Sequence, residues 1–162
     1  MDVGGCQVNS QKQEADIAGG GDVRPRREEY GLPPEPALVF SCFNSLYKID
    51  PPILTVWINI LRRVPGSVLW LLEMPLQAKP QIVREAAARG VPPGRIIFST
   101  PIPHPQHLAR AALADVFLDT LNYNAHTTAT DALWTGVPMV RHARCSVPGC
   151  AKTPLYFKMC CR

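Results

Sequence analysis

The chain lacks the glycine-rich loops with which many proteins bind phosphate. Neither G-x-G-x-x-G nor G-x-x-x-x-G-K-S/T occurs in its 162 residues, so the sequence predicts neither a dinucleotide-binding fingerprint nor a P-loop. A G-x-S-x-G segment is absent as well, which argues against a hydrolase nucleophile elbow. If the protein binds phosphate, it must use groups other than those of a glycine-rich loop.

Long apolar runs are also missing. None approaches the roughly 18 residues of a membrane span, and the N-terminus has no charged-then-apolar signal segment. These absences predict an intracellular protein without a membrane partner. Lys and Arg (17) exceed Asp and Glu (13), but they are scattered and do not interleave with aromatic residues as in nucleic-acid binders. The surplus suits an anionic ligand better than a nucleic acid.

The six cysteines do not have the regular spacing of a disulfide framework. Cys145, Cys150, Cys160 and Cys161 lie near the C-terminus, together with His142. Their spacings match no zinc pattern built from paired C-x-x-C knuckles. We therefore expect reduced thiols and no metal site.

Apolar segments of strand length alternate with segments of helical periodicity between residues 37 and 140. Strands are predicted at 37–43, 67–72, 95–99, 116–118 and 136–140. Helices are predicted at 51–63, 80–89 and 105–114, and a further helix begins near residue 132. This alternation favours an α/β fold with a parallel sheet, right-handed crossovers and flanking helices.

The two ends of the chain show no such alternation. Residues 1–36 are rich in Gly, Gln, Asp, Glu and Arg and have no sustained apolar period. Such a segment buries too little surface to offset its ordering entropy, so we predict a disordered leader. Residues 141–162 are predicted to form a divergent, poorly ordered tail.

The segment Asn122–Trp134 is a candidate binding site. It follows the fourth predicted strand and opens into a helix, which places a helix N-terminus at the edge where open α/β sheets bind ligands. His126, Thr127 and Thr128 would add an imidazole and two hydroxyls, and Asp131 would reach a sugar hydroxyl. The alternative is structural: Thr127 or Thr128 caps the helix, and Asp131 lies in its first turn.

Three further candidates follow other strands. Lys48 comes after the first strand, where an ammonium group would meet a diphosphate; a solvated surface lysine is the alternative. His104 and His107 follow the third strand, and His107 would present a flat ring to a nucleobase. Histidines near helix ends are often only surface polar groups. The residues alone thus predict an α/β domain for a phosphorylated, nucleotide-like ligand.

Five segments of the sequence, taken together, carry a resemblance to a known family. They are Phe43-Asn-Ser-Leu-Tyr-Lys-Ile-Asp50, Arg62-Arg-Val-Pro-Gly-Ser-Val-Leu-Trp-Leu-Leu72, Arg95-Ile-Ile-Phe-Ser99, Leu113-Ala-Asp-Val-Phe-Leu-Asp-Thr120 and His126-Thr-Thr-Ala-Thr-Asp-Ala-Leu-Trp-Thr-Gly-Val-Pro-Met-Val140. In order and with few gaps, residues 37–140 resemble the C-terminal catalytic lobe of O-linked N-acetylglucosamine (O-GlcNAc) transferases.

The resemblance implies half of a GT-B glycosyltransferase, a Rossmann-like lobe at residues 37–140 that binds UDP. It implies an inverting enzyme that transfers GlcNAc from UDP-GlcNAc to Ser and Thr hydroxyls of cytoplasmic or nuclear proteins, without a metal ion or other cofactor. The acceptor-side lobe is missing from this sequence, so we expect the chain alone to be inactive. The alternatives are a non-catalytic UDP or UDP-sugar binding module and an inactive remnant.

The resemblance also implies roles for residues around the phosphates. Lys48 matches the lysine that neutralises the diphosphate and stabilises the leaving group; no acceptor-side catalytic residue is assigned. His126, Thr127 and Thr128 match the phosphate-binding histidine and threonines at a helix N-terminus. Asp131 matches the aspartate that bonds the ribose.

Around the base, His107 matches the histidine that stacks on uracil, the main chain near Ile102 reads the base edge, and Arg110 matches a nearby basic position. Two residues depart from the common pattern of the family. Ser45 replaces a glutamine near the diphosphate, and His104 replaces a lysine beside the ribose. We expect these departures to weaken nucleotide binding.

Overall fold

The computed structural model describes residues 25–141 and the backbone of residues 156–158. Its strands are β1 (Val39–Cys42), β2 (Val68–Leu72), β3 (Ile96–Ser99), β4 (Val116–Leu118), β5 (Met139–Arg141) and β6 (Tyr156–Lys158). They form one sheet in the order β3-β2-β1-β4-β5-β6. The strands from β3 to β5 are parallel to their neighbours, and β6 pairs with β5 in the antiparallel direction.

In the described part of the chain, four α-helices connect the parallel strands: α1 (Pro51–Arg63), α2 (Lys79–Ala88), α3 (His104–Ala111) and α4 (Thr127–Trp134). Short 3-10 turns lie at Arg27–Tyr30, Leu46–Lys48, Leu76–Ala78 and Pro93–Arg95. No helix within the described ranges is long and apolar enough to cross a membrane. The predicted α/β class with a parallel sheet is confirmed.

Helix α1 forms where the sequence predicts it. The Asp50 carboxylate accepts a hydrogen bond from the Ile53 N–H at 2.9 Å, and prolines fill the first helical positions. Proline is favoured there because its missing N–H would have no helical partner and its φ is already helical. The apolar side chains of α1 recur at helical spacing and are buried in the core; they are Ile53, Leu54, Trp57, Ile58 and Leu61.

The sheet changes its direction of growth at β1. Strands β2 and β3 are added on one side of β1, and β4 and β5 on the other. The connections that leave the carboxyl ends of β1 and β4 therefore run in opposite directions and leave a crevice between them. Ligands of open α/β sheets bind at such switch points.

Residues 25–36 contradict the prediction of a disordered leader up to residue 36. Leu32 is buried, and the Tyr30 ring lies 5.5 Å from the Trp70 ring, centroid to centroid. Arg27 donates to both carboxylate oxygens of Asp115 at 3.0 Å and to the Ala37 carbonyl at 2.8 Å. Two apolar side chains and one ion pair dock this segment onto a sheet built from later residues, so it needs no apolar period of its own.

The remainder of the predicted leader, residues 1–24, lies outside the described residues. Of the predicted tail, Arg141 ends β5 and residues 156–158 form β6. The other tail residues, with His142 and the four C-terminal cysteines, also lie outside the described part.

Several predicted boundaries shift. Helix α2 begins and ends one residue earlier than predicted, β1 is shorter, and α3 ends at Ala111 because its last amides bond three residues back rather than four. Strand β5 begins at Met139 rather than at Gly136, because Gly136 has φ 79° and closes α4. Helix α4 begins at Thr127, five residues before the predicted start near 132.

Replacing Arg27 with alanine is expected to lower the free energy of unfolding by about 1–2 kcal/mol, because it leaves the partly buried Asp115 carboxylate without its bidentate partner. Only the Val39 N–H, at 2.7 Å, would still donate to it among the described groups. Urea denaturation followed by circular dichroism measures the change. Arg84→Ala, on the exposed side of α2, is the control, and an equal loss in both variants would contradict the prediction.

Candidate functional site

The switch point gathers side chains from three connections. Lys48 lies in the connection after β1, and His104 begins α3 after β3. Asp131 lies on α4 after β4, and its Oδ1 is 3.0 Å from Nε2 of His104. Helices α3 and α4 are therefore neighbours, and residues predicted from separate segments meet at one edge of the sheet.

A buried carboxylate shapes the loop after β4. The Asp119 side chain is fully buried, and its Oδ1 accepts hydrogen bonds from the Thr120 and Ala125 N–H groups at 2.8 Å each. Its Oδ2 faces the Asn124 Nδ2 at 3.2 Å and the Arg141 Nε at 3.3 Å. A buried charge is tolerated only with such partners. The loop is thus held closed around Asp119 up to the start of α4.

Asn44 ties the end of β1 to the same loop and to α4. Its side chain is buried, and its Nδ2 donates to Asp119 Oδ1 at 3.2 Å and to Thr120 Oγ1 at 3.1 Å. Its Oδ1 accepts from the Thr128 hydroxyl at 2.7 Å. One amide therefore fixes the first turn of α4 relative to β1.

The capping alternative for the threonines is wrong. His126 occupies the N-cap position without a side-chain capping bond, Thr127 is the first helical residue, and Thr128 bonds Asn44. Asp131 lies beyond the first turn and pairs with His104 instead. Because no N-cap side chain covers it, the N-terminus of α4 presents its first N–H groups and its partial positive charge to the crevice.

Lys48 contacts an aromatic ring. Its Nζ lies 4.4 Å from the centroid of the Tyr123 ring, which in turn lies 6.0 Å from the His126 ring. Lys48 is partly buried, whereas Tyr123 is 60% exposed. Lys48 therefore lies against the loop that leads from β4 to α4, and it is partly buried rather than fully exposed.

His107 is half-buried and fixed on two sides. Its ring packs edge-on against Phe43, with centroids 4.9 Å apart, and its Nδ1 accepts a hydrogen bond from Arg110 Nε at 3.2 Å. Burial and the Arg110 charge lower the pKa of His107 from its ordinary value. The ring is neutral at pH 7, with its proton on Nε2, so the surface-histidine alternative fails here.

Arg110 is itself buried beneath His107. Its Nη1 donates to the Thr100 carbonyl at 2.8 Å, and its Nη2 has no hydrogen-bond partner among the described residues. Ile102 lies between β3 and α3 and is partly exposed. The loop around Thr100 and Ile102 therefore lies next to the His107 ring, where a flat ligand group would meet its backbone.

Two other chemistries find no support at this edge. Burial raises the pKa of the Cys42 thiol to about 12, so this cysteine is not a nucleophile at neutral pH. Within residues 25–141, no group of three or more His, Cys, Asp or Glu side chains is placed to hold a metal ion. The groups that the crevice does bring together are a helix N-terminus, Lys48 and the His107 ring.

Comparison with known proteins identifies the family. The model of glycosyl transferase family 41 matches residues 4–149. The chain belongs to this family. The match extends beyond residues 37–140 on both sides.

Two relatives show how much of a family 41 protein the chain represents. The probable UDP-N-acetylglucosamine–peptide N-acetylglucosaminyltransferase SEC of Arabidopsis thaliana is 48% identical over 133 residues, which are 82% of this chain and 14% of the relative. The enzyme of the same general name from Caenorhabditis elegans is 51% identical over 114 residues, 70% of this chain and 10% of the relative. The chain thus spans less than a sixth of either protein.

A solved structure gives the same assignment. A mutant of the Thermobaculum terrenum O-GlcNAc transferase superposes with a TM-score of 0.60 and 36% identity, over 68% of this chain and 24% of that one. The predicted fold, part of a GT-B glycosyltransferase with a Rossmann-like sheet, is confirmed.

Sequence reasoning missed the residues that hold this family 41 site together. Asp119 is the first residue after β4 and Asn44 the second after β1, on the two sides of the switch point, which is a signal that could have been used. Tyr123 carries no such signal, because an exposed aromatic residue in a loop becomes meaningful only through its contact with Lys48. The assigned nucleotide contacts themselves remain predictions.

Replacing Asp119 with asparagine is expected to destabilise the fold by about 2–4 kcal/mol, since one amide N–H₂ would face the Asn124 or Arg141 donors inside the protein. Chemical denaturation measures the loss. Glu35→Gln is the control, because it makes the same change from acid to amide at an exposed position. Similar stabilities for the two variants would contradict the central role of Asp119.

The pKa of His107 is expected to lie below its usual 6.5. The unfolded chain then binds this proton first as the pH falls, so the stability that His107 contributes is complete above about pH 6.5 and is lost as the pH falls towards its folded pKa. NMR titration of the ring protons measures the pKa, and His107→Gln should flatten the fall in stability between pH 7 and pH 5. Titration of His107 at or above 6.5 would contradict the burial argument.

Proposed function

We propose that this chain supplies the UDP-binding lobe of a protein O-GlcNAc transferase. The full enzyme would transfer GlcNAc from UDP-GlcNAc to Ser and Thr hydroxyls of proteins in the cytoplasm or nucleus. The convergence of Lys48, the α4 N-terminus and the His107 ring at the β1/β4 switch point carries the proposal. Membership of a family whose relatives are named as UDP-GlcNAc–peptide transferases supports it.

The diphosphate would lie over the N-terminus of α4. The N–H groups of Thr127 and Thr128 and the helix dipole favour negative charge there. The His126 side chain adds a polar group at the exposed rim, and Lys48 brings a full positive charge from the other side of the crevice. A helix N-terminus with a lysine would thus replace the glycine-rich loop that the sequence lacks.

The nucleoside would extend from the diphosphate towards α3. Asp131 and His104, already paired at 3.0 Å, would meet the ribose hydroxyls. The neutral His107 ring, held edge-on by Phe43, would stack on uracil, and the backbone near Ile102 would read the base edge. Arg110 would support this end of the site from beneath, since it donates to His107 Nδ1 and to the Thr100 carbonyl.

The contribution of this lobe to catalysis would be to stabilise the departing UDP. When an acceptor hydroxyl attacks the anomeric carbon, the bond from that carbon to the diphosphate breaks and negative charge grows on the leaving oxygen. Lys48 and the α4 N-terminus would be preorganised for that charge. The chain matches 24% of the aligned transferase structure, so we expect the 162 residues alone to bind UDP without transferring sugar.

A non-catalytic nucleotide module or an inactive remnant is the second candidate. Its specific support is His104, which stands where the family commonly has a lysine and here pairs with Asp131. Ser45 stands in place of the common glutamine, so the chain lacks a second polar side chain that would extend to the diphosphate. If these changes abolish nucleotide binding, the chain keeps the fold of its family without the function.

Lys48→Ala is expected to weaken UDP binding by about 1–3 kcal/mol through the loss of a charge-assisted contact. Calorimetry on the 162-residue chain measures the affinity, with circular dichroism on the same sample to show folding. Arg62→Ala is the control, because it removes the same charge from the exposed C-terminal end of α1, at the opposite edge of the sheet. EDTA should leave the UDP affinity unchanged.

The titration separates a UDP-binding chain from the inactive remnant. Saturable UDP binding that Lys48→Ala weakens and Arg62→Ala preserves would support the UDP-binding lobe. A folded parent chain that does not bind UDP would favour the remnant. Equal affinity for the parent and Lys48→Ala would show that the diphosphate does not meet Lys48.

A further inference from the structure

Tyr123 is an exposed aromatic residue in a loop that is otherwise firmly held. Its carbonyl accepts a hydrogen bond from Thr120 Oγ1 at 2.6 Å. On one side of it, Asn124 donates to the Thr120 carbonyl at 2.7 Å. On the other side, the Asn122 amide bonds the Asp50 carboxylate at the N-cap of α1. These bonds hold the loop backbone at Tyr123, and 60% of the residue remains exposed.

The ring faces Lys48 and leaves its charge free. Lys48 Nζ lies 4.4 Å from the ring centroid, within the range of a cation–π contact. The ion pairs found among the described residues do not include Lys48. A carboxylate partner would hold the ammonium group by neutralising it. An aromatic face holds it on one side and leaves N–H directions open on the other.

We propose that Tyr123 is a positioning residue that holds the Lys48 ammonium group ready for the diphosphate of the donor. This inference rests on the proposed UDP site and adds a residue to it. A lysine side chain loses much rotamer freedom when it is fixed, and a contact made before binding removes part of that cost from the binding step. The Tyr123 ring lies 6.0 Å from the His126 ring at the N-cap of α4, so the ring that contacts Lys48 also lies near the start of this helix.

A double-mutant cycle tests the coupling of Tyr123 to Lys48. UDP affinity is measured by calorimetry for the full chain and for Tyr123→Leu, Lys48→Ala and the double variant. Tyr123→Leu is expected to lower affinity about 2- to 5-fold, the range expected for an exposed cation–π contact. In the Lys48→Ala background the same change should have no effect, because the residue that Tyr123 positions is gone.

Two further variants separate positioning from a general role in folding. Tyr123→Phe keeps the aromatic face and should bind UDP like the parent. Trp134→Leu replaces another exposed aromatic residue, at the far end of α4, and should also leave affinity unchanged. In the absence of UDP, the ring current of Tyr123 should shift the NMR signals of the Lys48 ε-methylene upfield. That shift should vanish in Tyr123→Leu and persist in Tyr123→Phe.

Each outcome decides the proposal. Unchanged UDP binding by Tyr123→Leu would overturn it, because the ring would then contribute nothing to binding. Tighter binding would overturn it too, because the lysine would then have to leave the ring in order to bind UDP. A loss that persists in the Lys48→Ala background would overturn it as well, because Tyr123 would then act by another route. A folded parent chain that does not bind UDP would remove the proposed function and this inference together, whereas binding without coupling would remove this inference alone.

Discussion

The Asp119 carboxylate and its partners fix the geometry on which the site depends. A buried charge without partners would cost several kcal/mol, so the surrounding donors must stay in place for the domain to fold. Those donors come from the loop after β4, from Asn44 at the end of β1 and from Arg141 at the end of β5. The strands on both sides of the switch point are thereby locked to one loop, and α4 starts at a defined position. The stability of the fold and the shape of the crevice thus depend on the same hydrogen bonds.

The proposed phosphate site differs in construction from a glycine-rich loop. A P-loop wraps its own backbone around the anion, whereas here a preformed helix start and a lysine from another connection meet across a crevice. Such a site needs accurate placement of two separate elements. The Asn44 side chain provides it, since it bonds both the Asp119 loop and the first turn of α4.

The sequence predicts the parts of this molecule that local chemistry decides. The start of α1 follows from Asp50 and Pro51 alone, and the strands follow from apolar runs. The family assignment rests on long, ordered segments. Sequence patterns could not predict the contacts that form between distant residues. Thr128 has the chemistry of a helix cap, but its hydroxyl donates to the buried Asn44 side chain, 84 residues earlier. The partner of Lys48 depends likewise on how the β4 loop closes, which no local spacing reveals.

The docking of residues 25–36 changes where this domain should be cut for expression. Apolar alternation begins near residue 37, and a fragment started there would look complete by pattern. It would lose the Arg27 guanidinium group, which bonds both Asp115 and the Ala37 carbonyl. It would also expose the part of the Trp70 ring against which Tyr30 packs. Exposed aromatic surface of that kind promotes association between molecules. Aggregation of such a fragment would then reflect the chosen boundary rather than any defect of the sheet.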